Sequence, residues 1–193
     1  VYGDNVEITA EDEAGNSFQV FLTKDEENEE EISSGHKTAS DGVYTLRLVD
    51  NAFNEKIIKF TVDTTAPALK DLTNGAHYKE ITLNTEDKTK VTIQVTNKDK
   101  NEVTSVEEGA KLTEDATYEV LLTDEAGNTA TYEFAIDNTR PQIHGVNNNG
   151  IYNTEKQANI KDKFLALVKV SATYKDGTTS EEEFTRADFI VGE

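Results

Sequence analysis

DATYEVLLTDEAGNTATYEFAIDNTRP, residues 115–141, has a second copy earlier in the chain. Residues 41–67, DGVYTLRLVDNAFNEKIIKFTVDTTAP, match it without a gap at an offset of 74 residues. Asp41, Tyr44, Asp50, Ala52, Asn54, Phe60, Asp63, Thr65 and Pro67 fall on Asp115, Tyr118, Asp124, Ala126, Asn128, Phe134, Asp137, Thr139 and Pro141. A fixed period of this size means tandem modules.

Each copy has the physics of a β-hairpin. Tyr118, Val120 and Leu122 alternate with Glu119, Leu121 and Thr123, and after the turn Tyr132, Phe134 and Ile136 alternate with Glu133, Ala135 and Asp137. The first copy offers Tyr44, Leu46, Leu48 and then Ile58, Phe60, Val62 as its inward set. Alternation of period two argues half-buried strands. Asp-Glu-Ala-Gly-Asn between them is turn chemistry, with Gly127 free to take positive φ and Asp124 and Asn128 able to bond local backbone. Phe53 stands at the glycine position in the first copy, so that turn is expected to be strained or differently shaped. Pro67 and Pro141 end the hairpins, because proline cannot donate to a ladder.

Reading outward from the hairpin, module one covers residues 1–67, module two 68–141, and a partial third module 142–193. In module one, Val6, Ile8 and Ala10 form one alternating run and Phe18, Val20 and Leu22 the next. Ile81 and Leu83 correspond to Val6 and Ile8, and Val91, Ile93 and Val95 to the Phe18 run. Residues 32–40 and 109–114 read as connections. The acidic run DEENEEE at 25–31 reads as a solvated hairpin tip that discourages edge pairing. About seven short strands per full module, with no helical stripe, predict an all-β chain of antiparallel sandwiches. Module one lacks the opening strand that residues 68–74 supply in module two. Module three stops where its own hairpin is due, and its apolar stretch 164–170 has the composition of a short helix. A chain that begins at Val1 reads as a segment of a longer polypeptide.

The net charge is −19, from 38 acidic and 19 basic residues. That balance opposes binding to nucleic acid or an anionic membrane through phosphate contacts. No apolar run is long enough to span a bilayer, so no membrane insertion is expected. There is no cysteine, hence no disulfide framework or thiol chemistry, and there is no tryptophan to serve as a sugar platform.

The tyrosine two residues before Leu46 and before Val120 resembles the tyrosine corner at the start of strand F in immunoglobulin-like domains. The Asp-x-Ala-Gly-Asn turn, followed by a strand ending in (Val/Ile)-Asp-x-Thr-x-Pro, closely resembles the bacterial Ig-like repeats of Gram-positive surface and secreted proteins. The resemblance covers both full modules and about half of the third. It implies tandem immunoglobulin-like β-sandwich modules, an extracellular location at a bacterial cell surface or in a secreted protein, and a stalk or spacer role. The partners it implies are neighbouring domains of the same polypeptide. Two other roles fit the same fold: an adhesive module that binds a host protein or glycan, and an accessory domain of a secreted carbohydrate-active enzyme.

Candidate chemistry is sparse. His36, His77 and His144 occupy no equivalent positions and have no partners at metal or triad spacing. There is no phosphate loop and no EF-hand. No enzymatic site is expected, and no cofactor apart from a cation. Lysine and asparagine are plentiful, yet no pair sits in a motif for an intramolecular cross-link. One site hypothesis concerns the junctions. Asp63 and Asp137 end the last strand of each module, and Asp50 and Asp124 sit at the hairpin turns. Calcium, Ca²⁺, takes hard oxygen ligands and would need several of these carboxylates to converge. The competing reading has the same aspartates capping turns through backbone amides.

Overall fold

The computed structural model describes residues 1–11, 17–38 and 40–185. The alternating sequence forms strands throughout, and among the described residues there is no helix. No helix is long and apolar enough to cross a membrane. The chain is all-β and sandwich-like, and it divides into two units, Val1–Ile136 and Asp137–Glu193.

Module one contributes β1 (Glu7–Ile8), β2 (Phe18–Lys24), β3 (Glu30–Ile32), β4 (His36–Lys37), β5 (Gly42–Asp50) and β6 (Glu55–Val62). Its main sheet has the order β3-β2-β5-β6, and β1 pairs with β4. Module two contributes β7 (Ala68–Leu69), β8 (His77–Tyr78), β9 (Ile81–Leu83), β10 (Thr85–Glu86), β11 (Thr92–Asn97), β12 (Glu102–Val106), β13 (Ala110–Leu112), β14 (Ala116–Thr123) and β15 (Thr129–Ile136). Its main sheet has the order β12-β11-β14-β15-β8, with β10 paired to β7 and β13 to β9. The six strands of module one match β9, β11, β12, β13, β14 and β15 in order, and β7 and β10 have no counterpart among its described residues. The connections 32–40 and 109–114 each carry a short strand that sequence periodicity did not reveal, β4 and β13. Two or three residues are too few to show alternation.

The hairpin repeats in full. Tyr44 lies opposite Phe60, and Tyr118 opposite Phe134. The rings stack, at 5.3 Å in module one and 5.8 Å in module two. Tyr44 and Tyr118 are buried, as the corner motif requires, and each hydroxyl donates to a carbonyl four residues upstream, Ser40 at 2.7 Å and Glu114 at 3.1 Å. A buried phenol oxygen is costly unless bonded, so these bonds let the ring fill the core. The core of module two also includes Leu69, Ile81, Leu83, Ile93, Val95, Val120, Leu122 and Ile136. That of module one is thinner, built on Ile8, Val20, Leu22, Tyr44 and Val62.

The ladder register shows where the copies part. Val20 pairs with Leu48 and Ile93 with Leu122, while Ile8 pairs with His36 and Leu83 with Ala110. The connection between the first two strands is therefore longer in module one than the corresponding connection in module two.

Two expectations need correcting. Ile58 shares the inward parity of Phe60 and Val62, yet it is 47% exposed. At the equivalent place in module two, Tyr132 is covered by β7, whose Leu69 N–H donates to the Tyr132 hydroxyl at 3.2 Å. Among the described residues module one has no counterpart of β7. The stretch 164–170 is not a helix. It runs into strand β18, described below, because Val168 and Val170 are β-branched and alternate, which favours a strand over a helix.

The second unit contains β16 (Gln142–His144), β17 (Asn159–Lys161), β18 (Leu167–Thr173) and β19 (Thr179–Thr185). They form two separate two-stranded sheets, β16-β17 and β18-β19. Among the described residues this unit forms no closed sandwich.

Candidate functional site

The hairpin turn of module two is closed by one carboxylate. Asp124 Oδ1 accepts the Asn128 N–H at 2.8 Å, and Oδ2 accepts the Asn128 side-chain amide at 2.8 Å. Gly127 takes φ 89°, which lets the chain reverse over four residues. The turn of module one is built alike. Asp50 accepts from Ala52 N–H, Asn54 N–H and the Asn54 amide at 2.8–2.9 Å, and Phe53 takes φ 63° where module two has glycine. The substitution leaves the turn's hydrogen bonds in place and stores the strain in a left-handed phenylalanine. These bonds hold the Asp50 carboxyl below its ordinary range, the Asn54 side chain contributing most.

The module-two turn also does something its copy is not seen to do. The Asn128 amide donates to the backbone carbonyl of Asp63 at 2.7 Å and lies 3.3 Å from that of Thr65. Both carbonyls belong to the segment that leaves module one. From the other side, Gly3 of module one lies so close that a Cβ there would sit 2.6 Å from the Ala126 carbonyl oxygen. The segment itself is pinned by Asp41, which accepts from Thr64 N–H (2.9 Å), Thr64 Oγ1 (2.8 Å) and Thr65 Oγ1 (2.7 Å). Pro67 beyond it is fully buried. The link between modules is thus bonded at both ends rather than free.

Two of the four aspartates proposed from sequence meet here. Asp63 and Asp124, 1% and 6% exposed, come together with Asp87 from the loop after β10. One carboxylate oxygen from each lies within 4.8 Å of the others. A pocket of about 320 Å³ opens beside them, lined by Asp63, Thr65, Glu86, Asp87 and Lys88. Asp87 Oδ1 accepts Thr89 N–H and Oγ1 at 2.7 and 2.8 Å, and Asp63 Oδ1 accepts Thr65 N–H at 3.2 Å. Asp50 and Asp137 join no such group among the described residues. Sequence reading missed Asp87 because it lies in a loop whose length differs between copies, so the repeat offered no counterpart to draw attention to it.

No known protein family matches this sequence, and no curated protein matches it.

The Asp41 bonds predict a pH dependence. Thr65 and Thr64 hold its carboxyl down at about 2, against an ordinary value of 3.8. A depressed carboxylate contributes stability that is complete above the unfolded value and is lost as pH falls through the folded one. Resonances of Thr64 and Thr65 should therefore titrate with a midpoint near 2 rather than near 4. In the Asp41→Asn variant that titration should disappear, and the linker amides should exchange faster with solvent at neutral pH. A midpoint near 4 in the parent chain would mean that Asp41 does not hold the linker.

Proposed function

We propose that this chain is a non-catalytic spacer: a stalk segment of an extracellular, cell-surface or secreted multidomain protein, in which successive sandwich modules are locked end to end. The observation that carries this reading is the bonding of the Asn128 amide to the carbonyls of Asp63 and Thr65. A spacer transmits geometry only if its joints do not swivel. A segment held by Asp41 on one side and by Asn128 on the other has little freedom left. Each module buries its own core, so length is built by repetition. Among the described residues the acidic side chains converge at the joint, on Asp63, Asp87 and Asp124.

Exposed apolar residues of module one favour the adhesive reading as the alternative. Phe53 is 86% exposed at the tip of its turn, and Ile57, on the same hairpin, is 52% exposed.

The absence of cysteine allows site-specific spin labels to test the spacer reading. Labels at Glu26→Cys in module one and Glu102→Cys in module two should give a single narrow distance distribution by pulsed dipolar spectroscopy. A broad distribution, as from two bodies on a flexible tether, would overturn the spacer reading.

A further inference from the structure

The joint holds a charge that the protein itself leaves unanswered. Asp63 is nine-tenths buried and more, and its Oδ2 is fully buried with no hydrogen-bond partner. Asp63 Oδ1 and both Asp124 oxygens accept from local amides, and Asp87 Oδ1 accepts the Thr89 N–H and hydroxyl. A buried carboxylate oxygen without a donor is destabilising, and native structures avoid it unless an ion or water completes the site. Here two more carboxylates crowd the same place, which adds mutual repulsion. The adjoining pocket is lined by three acidic residues and one lysine, Lys88, so its own side chains leave a negative excess.

We propose that the junction binds one calcium ion through Asp63, Asp87 and Asp124. Three features select the ion. The donors are all carboxylate oxygens, with no imidazole or thiolate to favour zinc or copper. Two oxygens on opposite sides of a calcium ion, each about 2.4 Å from it, stand about 4.8 Å apart. The three oxygens here lie within that span of one another. The pocket beside them gives water room to complete a shell of about six to eight oxygens. Magnesium demands a near-ideal octahedron and gives up water reluctantly, so it gains less from carboxylates already fixed by their own turns.

The meaning of the ion rests on the spacer reading. Asp63 closes module one, whereas Asp87 and Asp124 belong to two different loops of module two. A cation shared among them ties the modules together at the point where Asn128 already bridges them. Three carboxylates and a partly open pocket suit the weak range of extracellular modules, roughly 10⁻⁴–10⁻³ M. The joint would then stiffen where calcium is abundant and loosen where it is scarce.

The test is a titration of the whole chain with CaCl₂ by calorimetry, paired with melting in calcium and in chelator. The parent chain should bind one ion in the range above. Its melting point should rise by about 5 °C at saturating ion. Asp63→Asn is close to isosteric and keeps an acceptor for Thr65 N–H. It should abolish the binding heat and melt at the same temperature with and without calcium. In chelator it should melt above the parent, because the buried charge is gone. Asp87→Asn should weaken binding at least tenfold while leaving the chelator melting point near that of the parent. Asp50→Asn, in the equivalent turn that joins no cluster, should bind calcium as the parent does. No binding heat and no melting shift in about 10 mM CaCl₂ would overturn the proposal. So would Asp63→Asn responding to calcium like the parent, since the ion would then sit elsewhere on an acidic surface. A narrow label-to-label distance that persists in chelator, alongside absent calcium binding, would sink the metal site and leave the spacer reading standing. Calcium binding with a broad distance distribution would do the reverse.

Discussion

Replacing Phe134 with alanine is expected to cost about 3–5 kcal/mol and to unfold the second module selectively. Phe134 is 2% exposed and lies at the centre of an aromatic cluster. Its ring stacks on Tyr118 at 5.8 Å and meets Tyr78 edge-on at 6.1 Å. Removing it deletes transfer free energy and both ring contacts, and it leaves a cavity among strand residues that cannot close without breaking ladders. The counterpart Phe60 stacks on Tyr44 at 5.3 Å and meets Tyr2 edge-on at 6.0 Å, but it is only partly buried. Phe60→Ala should cost roughly half as much, because part of its surface already meets water. Amide exchange resolves the modules individually. In Phe134→Ala the amides of Val120 and Leu122 should lose most of their protection while those of Leu46 and Leu48 keep theirs. Equal loss in both modules would mean that the two cores unfold as one, and a cost under about 1 kcal/mol would mean that the ring is not the keystone of its core.

Replacing Gly3 with valine is expected to open the joint while leaving both modules folded. A Cβ at position 3 would lie 2.6 Å from the Ala126 carbonyl oxygen and 3.3 Å from Asn128 Oδ1. The first is a backbone atom in a closed turn, so it cannot rotate away. The cheapest relief is for the two surfaces to separate, and separation breaks the Asn128 bonds to Asp63 and Thr65. Overpacking of this kind typically costs about 1–3 kcal/mol. Spin labels at positions 26 and 102 should pass from a narrow to a broad distance distribution. Protection of the core amides should stay unchanged in both modules. A distribution as narrow as that of the parent would show that Gly3 is not at the bearing surface, and loss of core protection would mean that the substitution acts on module one itself.

The hairpin was legible in the sequence because its determinants are local. Alternation of period two decides which faces of β5, β6, β14 and β15 turn inward, and the tyrosine four residues past its acceptor carries the corner with it. Asp50 and Asp124 close their turns through residues four positions away, so identical motifs build identical turns, even with Phe53 in place of glycine. The short strands β4 and β13 left no such pattern, and residues 164–170 admit a short helix from sequence because an apolar stretch has the same composition in either state.

What only the tertiary structure decided lies between segments far apart in the chain. Among the described residues Asn54 bonds its own aspartate, Asp50, whereas the equivalent Asn128 also reaches the segment leaving module one. Ile58 has the inward parity of Phe60 but stays half exposed, since no described strand covers it. Asp63 could be suspected as a junction residue from its place before Thr-x-Pro. Its meeting with Asp124 and Asp87 depends on how the linker folds back against two loops of the next module. Alternation is a property of neighbours along a strand, whereas the convergence of three carboxylates depends on loop lengths and on the packing of one body against another. Local sequence period carries no information about either.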